Sequence, residues 1–164
     1  NKVQEALEKW SDIKLKNNAI KLHLIGRLQT NKVKFALQIF DYIHSLDSEK
    51  LAIKISEEQK KQEKKPKIFI QVNIGNEDQK SGINKDNLID FYKFCKNLNL
   101  DIIGTMCIPP NDSNTEKYFA EMSDLNKELN FKELSMGMSG DYLEAIRYNA
   151  TYVRLGSKIF GNRN

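Results

Sequence analysis

Apolar positions along this chain switch between two periods. Over Lys2–Lys16, Val3, Ala6, Leu7, Trp10, Ile13 and Leu15 fall mostly at three- and four-residue spacing, which predicts an amphipathic helix. Ala19–Ile25 (AIKLHLI) then alternates and stops at Gly26, the pattern of a strand. Asn31–Phe40 returns to helical spacing, Tyr42–Leu46 (YIHSL) is a short strand, and Ser48–Lys64 is a strongly charged helix that Pro66 breaks. Ile68–Ile74 (IFIQVNI) is the clearest strand, apolar and β-branched. After a polar loop over Gly75–Gly82, the pattern gives a helix (Asn84–Leu98), a strand (Asp101–Ile108) closed by Pro109 and Pro110, and a helix (Ser113–Leu129). A strand (Glu133–Met138), a short helix (Asp141–Tyr148), a last strand (Thr151–Leu155) and a helical turn (Ser157–Phe160) complete it.

A helix followed by about six strands alternating with helices predicts an α/β fold with a parallel sheet and helical crossovers. Three architectures fit: a doubly wound open sheet, a flavodoxin-like sheet, or part of an eight-stranded barrel. The 164 residues suit a single domain over 1–164, with no repeat or linker to divide it.

Composition narrows the class. With 40% hydrophobic and 29% charged residues the chain is globular, and no apolar run approaches the ~18 residues of a membrane span. Two cysteines, Cys95 and Cys107, make no disulfide framework and point to a cytoplasmic setting. The net charge of +4 is a small excess. The basic run Lys60–Lys67 (KKQEKKPK) reads as a solvated helix end rather than a nucleic-acid platform, because no aromatic residue interleaves it. The chain opens on Asn1, already in helical pattern, and is expected to continue a longer sequence.

Ligands of parallel α/β folds bind at the C-terminal ends of the strands. Two strand ends stand out. Ser135–Asp141 (SMGMSGD) places small residues, the Ser139 hydroxyl and a helix start together, which suits a phosphate. An ordinary helix cap by Ser139 or Asp141 explains the same residues. Arg154-Leu155-Gly156-Ser157 repeats the theme one strand later, and two such loops in succession match the phosphate site of many barrels. Arg154 suits an anion, a ring nitrogen or a strand-end salt bridge. His23 and His44 read as packed or hydrogen-bonded core residues, and Met106, Met136 and Met138 as core or pocket wall. No GxGxxG, P-loop or HExxH motif occurs.

Four segments carry a resemblance: His23–Lys32 (HLIGRLQTNK), Gln71–Ile74 with Lys80–Gly82, Ser135–Asp141, and Val153–Gly161 (VRLGSKIFG). In this order and at these gaps they resemble the pyridoxal phosphate homeostasis protein family. The resemblance implies a (β/α)8 TIM barrel of the alanine racemase N-terminal type, incomplete here, with about six βα units and the first two strands missing. It also implies pyridoxal 5′-phosphate (PLP) at the C-terminal face. By the family's motifs Ser139, Gly156 and Ser157 would hold the phosphate, with Arg154 at the pyridine nitrogen and Met138, Asn73 and Asn1 also at the cofactor. The family's Schiff-base lysine is expected upstream of Asn1, so no catalytic residue is assigned. The implied role is a non-catalytic PLP carrier in vitamin B6 homeostasis. PLP-dependent apoenzymes are its expected recipients, and no nucleic-acid or membrane partner is expected. The complete protein is expected to be a monomer, with edge pairing open to a chain lacking strands. The alternatives are a racemase-like PLP enzyme, which needs two bases that the sequence does not offer, and a structural domain without PLP binding.

Overall fold

The computed structural model describes residues 1–17, 19–77, 79–112 and 114–161. Helix α1 (Val3–Lys16) leads to strand β1 (His23–Leu24), then a 3-10 turn (Thr30–Lys32) and α2 (Val33–Ile39). Next come β2 (Tyr42–Leu46), α3 (Glu49–Gln62), β3 (Lys67–Asn73), β4 (Ile83–Asn84) and α4 (Leu88–Asn97). The chain continues through β5 (Asp101–Cys107), α5 (Thr115–Glu128), β6 (Glu133–Met138), α6 (Tyr142–Arg147), β7 (Tyr152–Arg154) and α7 (Ser157–Phe160). Tyr42–Leu46 and Glu133–Met138 match the predicted strands, while the expected helix start at Ser113 lies outside the described residues.

All pairings are parallel, in the order β1-β2-β3-β5-β6-β7, with β4 beside the end of β3. The sheet is not flat. Six strands laid flat would hold β1 and β7 about 24 Å apart at the usual spacing. Yet the Tyr152 ring of β7 lies 5.7 Å from His23 of β1, 5.8 Å from His44 of β2 and 5.3 Å from Phe69 of β3. These side chains fill the concave face of a barrel that stays open between β1 and β7. Helices cover the convex face, so β2, β3 and β6 are buried on both sides and read as near-continuous apolar runs.

Two expectations change. The strand expected over Ala19–Ile25 shrinks to two residues, because the Leu22 amide donates to the Asp41 side chain (2.8 Å) instead of a ladder. Strand β4 falls in a stretch with no alternation, where Ile83 pairs with Val72.

Close backbone approach fixes the last crossover. A Cβ on Gly104 would run into the Glu133 carbonyl across the β5–β6 ladder. Gly137 has φ +89°, and a Cβ there would lie 2.6 Å from Ala145 of α6. Gly140, by contrast, faces open space. Gly104→Ala should therefore cost about 2 kcal/mol or more in a urea melt, whereas Gly140→Ala should leave the midpoint nearly unchanged.

Candidate functional site

The C-terminal ends of β1, β5, β6 and β7 surround a hollow of about 850 Å3. Its wall includes Asn1, His23, Gly26, Ile108, Met138, Ser139, Gly140, Arg154, Gly156 and Ser157. Six of the seven residues expected at a cofactor thus meet around one cavity. Asn73 does not line it, since its side-chain amide bonds Glu77 in both directions, donating at 2.9 Å and accepting at 3.2 Å. Asn1 reaches the wall because its carbonyl packs directly on Gly26, where a Cβ would collide with it.

Ser139 does not cap α6. Its Oγ accepts from the Gly156 amide (3.1 Å) and the Lys158 amide (3.4 Å), tying the loop after β6 to the loop after β7. The hydroxyl proton remains to be donated. Asp141 turns back instead and accepts from the Met138 amide at 2.6 Å. Among the described residues neither the amide nor the hydroxyl of Ser157 has a hydrogen-bond partner. Gly140 and Gly156 leave the volume above them open. Donors converging on an open cradle suit an oxyanion with several acceptor oxygens.

Arg154 makes no salt bridge among the described residues. Nη1 donates to Ser135 Oγ (3.0 Å) and Nη2 to the Cys107 carbonyl (2.8 Å), while Nε–H is buried without a partner. A buried orphan donor costs roughly 1–3 kcal/mol unless something accepts from it. A ring nitrogen with a free lone pair is such an acceptor.

Behind Arg154 runs a polar chain that the sequence reading did not assemble. His44 Nδ1 lies 2.9 Å from Ser135 Oγ, and His44 Nε2 lies 3.0 Å from His23 Nδ1. Ser135 is fully buried and accepts from Arg154; with its hydroxyl proton on His44 Nδ1, His44 keeps Nε2–H to donate to His23. Burial, with His23 and the Arg154 charge behind it, pushes the His44 imidazole down to about 3. Burial lowers His23 as well, against a smaller pull from Asp41. Both rings are therefore neutral near pH 7. The only sequence sign of this chain was two histidines on neighbouring strands.

Two groups bear on chemistry. Among the described residues no lysine lines the cavity. Tyr152 sits deeper, its phenol pushed up to about 12 by burial and a hydrogen bond to Tyr42, which unfits it as a base.

The architecture is a curled parallel half-barrel with converging donors after its last two strands and an arginine at their edge. The comparisons agree. The alanine racemase N-terminal domain family matches residues 1–164, and the chain belongs to that family. It is 39% identical to a pyridoxal phosphate homeostasis protein of Aquifex aeolicus, covering 99% of this chain and 75% of that one. The Pasteurella multocida protein of the same name is 38% identical, covering 100% and 75%. The solved structure of PipY from Synechococcus elongatus with PLP bound superposes with TM-score 0.90 at 32% identity, over 98% of this chain and 79% of that one. An alanine racemase of Clostridium difficile shares the fold at TM-score 0.68 and 18% identity.

The sign of the pH dependence follows from His44. Its folded pKa lies below its unfolded value of 6.5, so the folded state holds fewer protons and stability falls with falling pH. Between pH 6.5 and 3 this residue should remove about 1.4 kcal/mol per pH unit. His44→Asn, which keeps an acceptor for Ser135, should flatten that slope in urea titrations across this range.

Proposed function

We propose that this chain binds pyridoxal 5′-phosphate and serves as a non-catalytic carrier in intracellular PLP homeostasis. The observation that carries the reading is the orphan Arg154 Nε–H, buried beside a cradle whose donors suit a phosphate. The cradle and the arginine edge offer partners for both ends of one molecule. Ser139, Gly156 and Ser157 take the phosphate, Arg154 donates to the pyridine nitrogen, and Met138 and Asn1 supply wall. Asn73, bonded to the Glu77 backbone, takes no part in the wall. The names of the relatives support the same ligand.

PLP supplies an electron sink for reactions at amino-acid carbons when its ring nitrogen is protonated. A permanently charged guanidinium donating to that nitrogen leaves it no proton, which weakens the sink and favours storage over turnover. His44 and Ser135 hold the guanidinium in place, and Ile108 and Met138 shield the ring's side of the cavity. Among the described residues the cavity wall offers polar contacts from Ser139, Arg154, Gly156 and Ser157. We place the protein in the cytoplasm, where its two buried thiols stay reduced and PLP-dependent apoenzymes take up cofactor. No helix among the described residues is long and apolar enough to cross a membrane.

Calorimetric titration with PLP tests this. Arg154→Gln should weaken binding by about 10- to 100-fold, the range for losing a charged hydrogen-bond donor. Ser139→Ala should weaken it by about 3- to 10-fold. Unchanged affinity in both variants overturns the reading.

A further inference from the structure

The opposite end of the barrel carries a second hollow, of about 500 Å3. It lies at the N-terminal ends of β2 and β3, and five lysines line it against one aspartate: Lys14, Lys21, Lys64, Lys65, Lys67 and Asp41. Segments far apart in sequence deliver them: the end of α1, the approach to β1, and the stretch from the end of α3 into β3. The basic run of the sequence supplies only part of the set. Lys61 of that run turns away and pairs with Glu58.

The one carboxylate is spent. Asp41 Oδ2 accepts from Lys14 Nζ (2.6 Å) and the Leu22 amide (2.8 Å). Among the described residues none of Lys21, Lys64, Lys65 and Lys67 has a carboxylate partner. Lys14 and Lys64 have structural work as well, donating to the last carbonyls of α2 at Ile39 (2.5 Å) and Gln38 (2.8 Å). Helix capping explains those two ammoniums, and a bond to Asn99 explains Lys65. Lys21 and Lys67 make no side-chain hydrogen bond among the described residues: Lys21 adds its charge beside Asp41, and Lys67 Nζ overlies the Tyr42 ring at 5.7 Å. Like charges gathered around a low-dielectric concavity focus a positive potential into it. Each ammonium also keeps N–H donors beyond those already used.

We propose that this hollow is an anion site for an oligophosphate chain, a ligand carrying two or more linked phosphates. The volume lies in the range of small-molecule pockets, and its mouth is open to solvent, which lets a charged chain enter without full desolvation. The site lies at the other end of the strands from Ser139 and Arg154, so it is independent of the PLP reading.

Calorimetry with tripolyphosphate at low ionic strength, where screening is weak, tests it on the full chain. Saturable one-to-one binding is expected, weaker for orthophosphate. Lys21→Gln/Lys67→Gln should weaken tripolyphosphate about tenfold, taking each exposed charge at the upper end of its usual worth, and leave PLP affinity unchanged. Ser157→Ala should do the reverse. Circular dichroism melts of each variant check that the fold is kept. ATP in place of tripolyphosphate separates the sources: equal affinity means the phosphate chain alone is read, and tighter binding means a nucleotide is the natural ligand. The proposal is overturned by no saturable binding, by affinity that ignores the lysine pair, or by loss in Ser157→Ala alone.

Discussion

Hydrogen bonds inside the barrel run without a break from His23 through His44 and Ser135 to Arg154 and on to the Cys107 carbonyl. These residues sit on β1, β2, β6, β7 and β5, so the chain spans the concave face of the sheet. Each member is polar in a largely apolar interior, and removing one strands its neighbours at roughly 1–3 kcal/mol per unmet group. The network therefore fixes the curl of the sheet and the pose of Arg154 together. Each Nη spends one of its two N–H groups on these bonds, so Nε–H and one N–H on each Nη remain to be used.

The loops depend on that pose. Gly137 lets α6 close on β6, which sets where Ser139 begins, and Ser139 ties down the β7 loop through the Gly156 and Lys158 amides. The loops proposed for the phosphate and the arginine proposed for the ring are thus parts of one continuous piece of structure. Neutral histidines matter here. A protonated His44 could not accept from Ser135 and would repel the guanidinium, so acid loosens both fold and site.

Much of this was legible in the sequence. Strongly periodic segments such as Tyr42–Leu46 and Glu133–Met138 declared themselves through apolar runs, and the turn at Ser157–Phe160 through its place after a strand and a glycine. The four family-like segments located Ser139, Arg154, Gly156 and Ser157, which the fold gathers at one cavity. What escaped depends on tertiary geometry. His44 and Ser135 stand 91 residues apart and meet only because the sheet curls. Leu22 lost its place in a strand to an Asp41 side chain, and β4 arises from the turn at Gly82 (φ +128°), not from any apolar pattern. Asn73 belonged to a family-like segment, yet local bonding to Glu77 keeps it off the wall.

The account turns on one proposed hydrogen bond, from the Arg154 guanidinium to the pyridine nitrogen. PLP labelled with 15N at that atom reports it directly by NMR. Bound cofactor should show an unprotonated, hydrogen-bonded nitrogen at neutral pH, and the hydrogen-bond shift should vanish in Arg154→Gln. A protonated pyridinium in the wild-type complex, or a nitrogen signal indifferent to Arg154, would contradict the account.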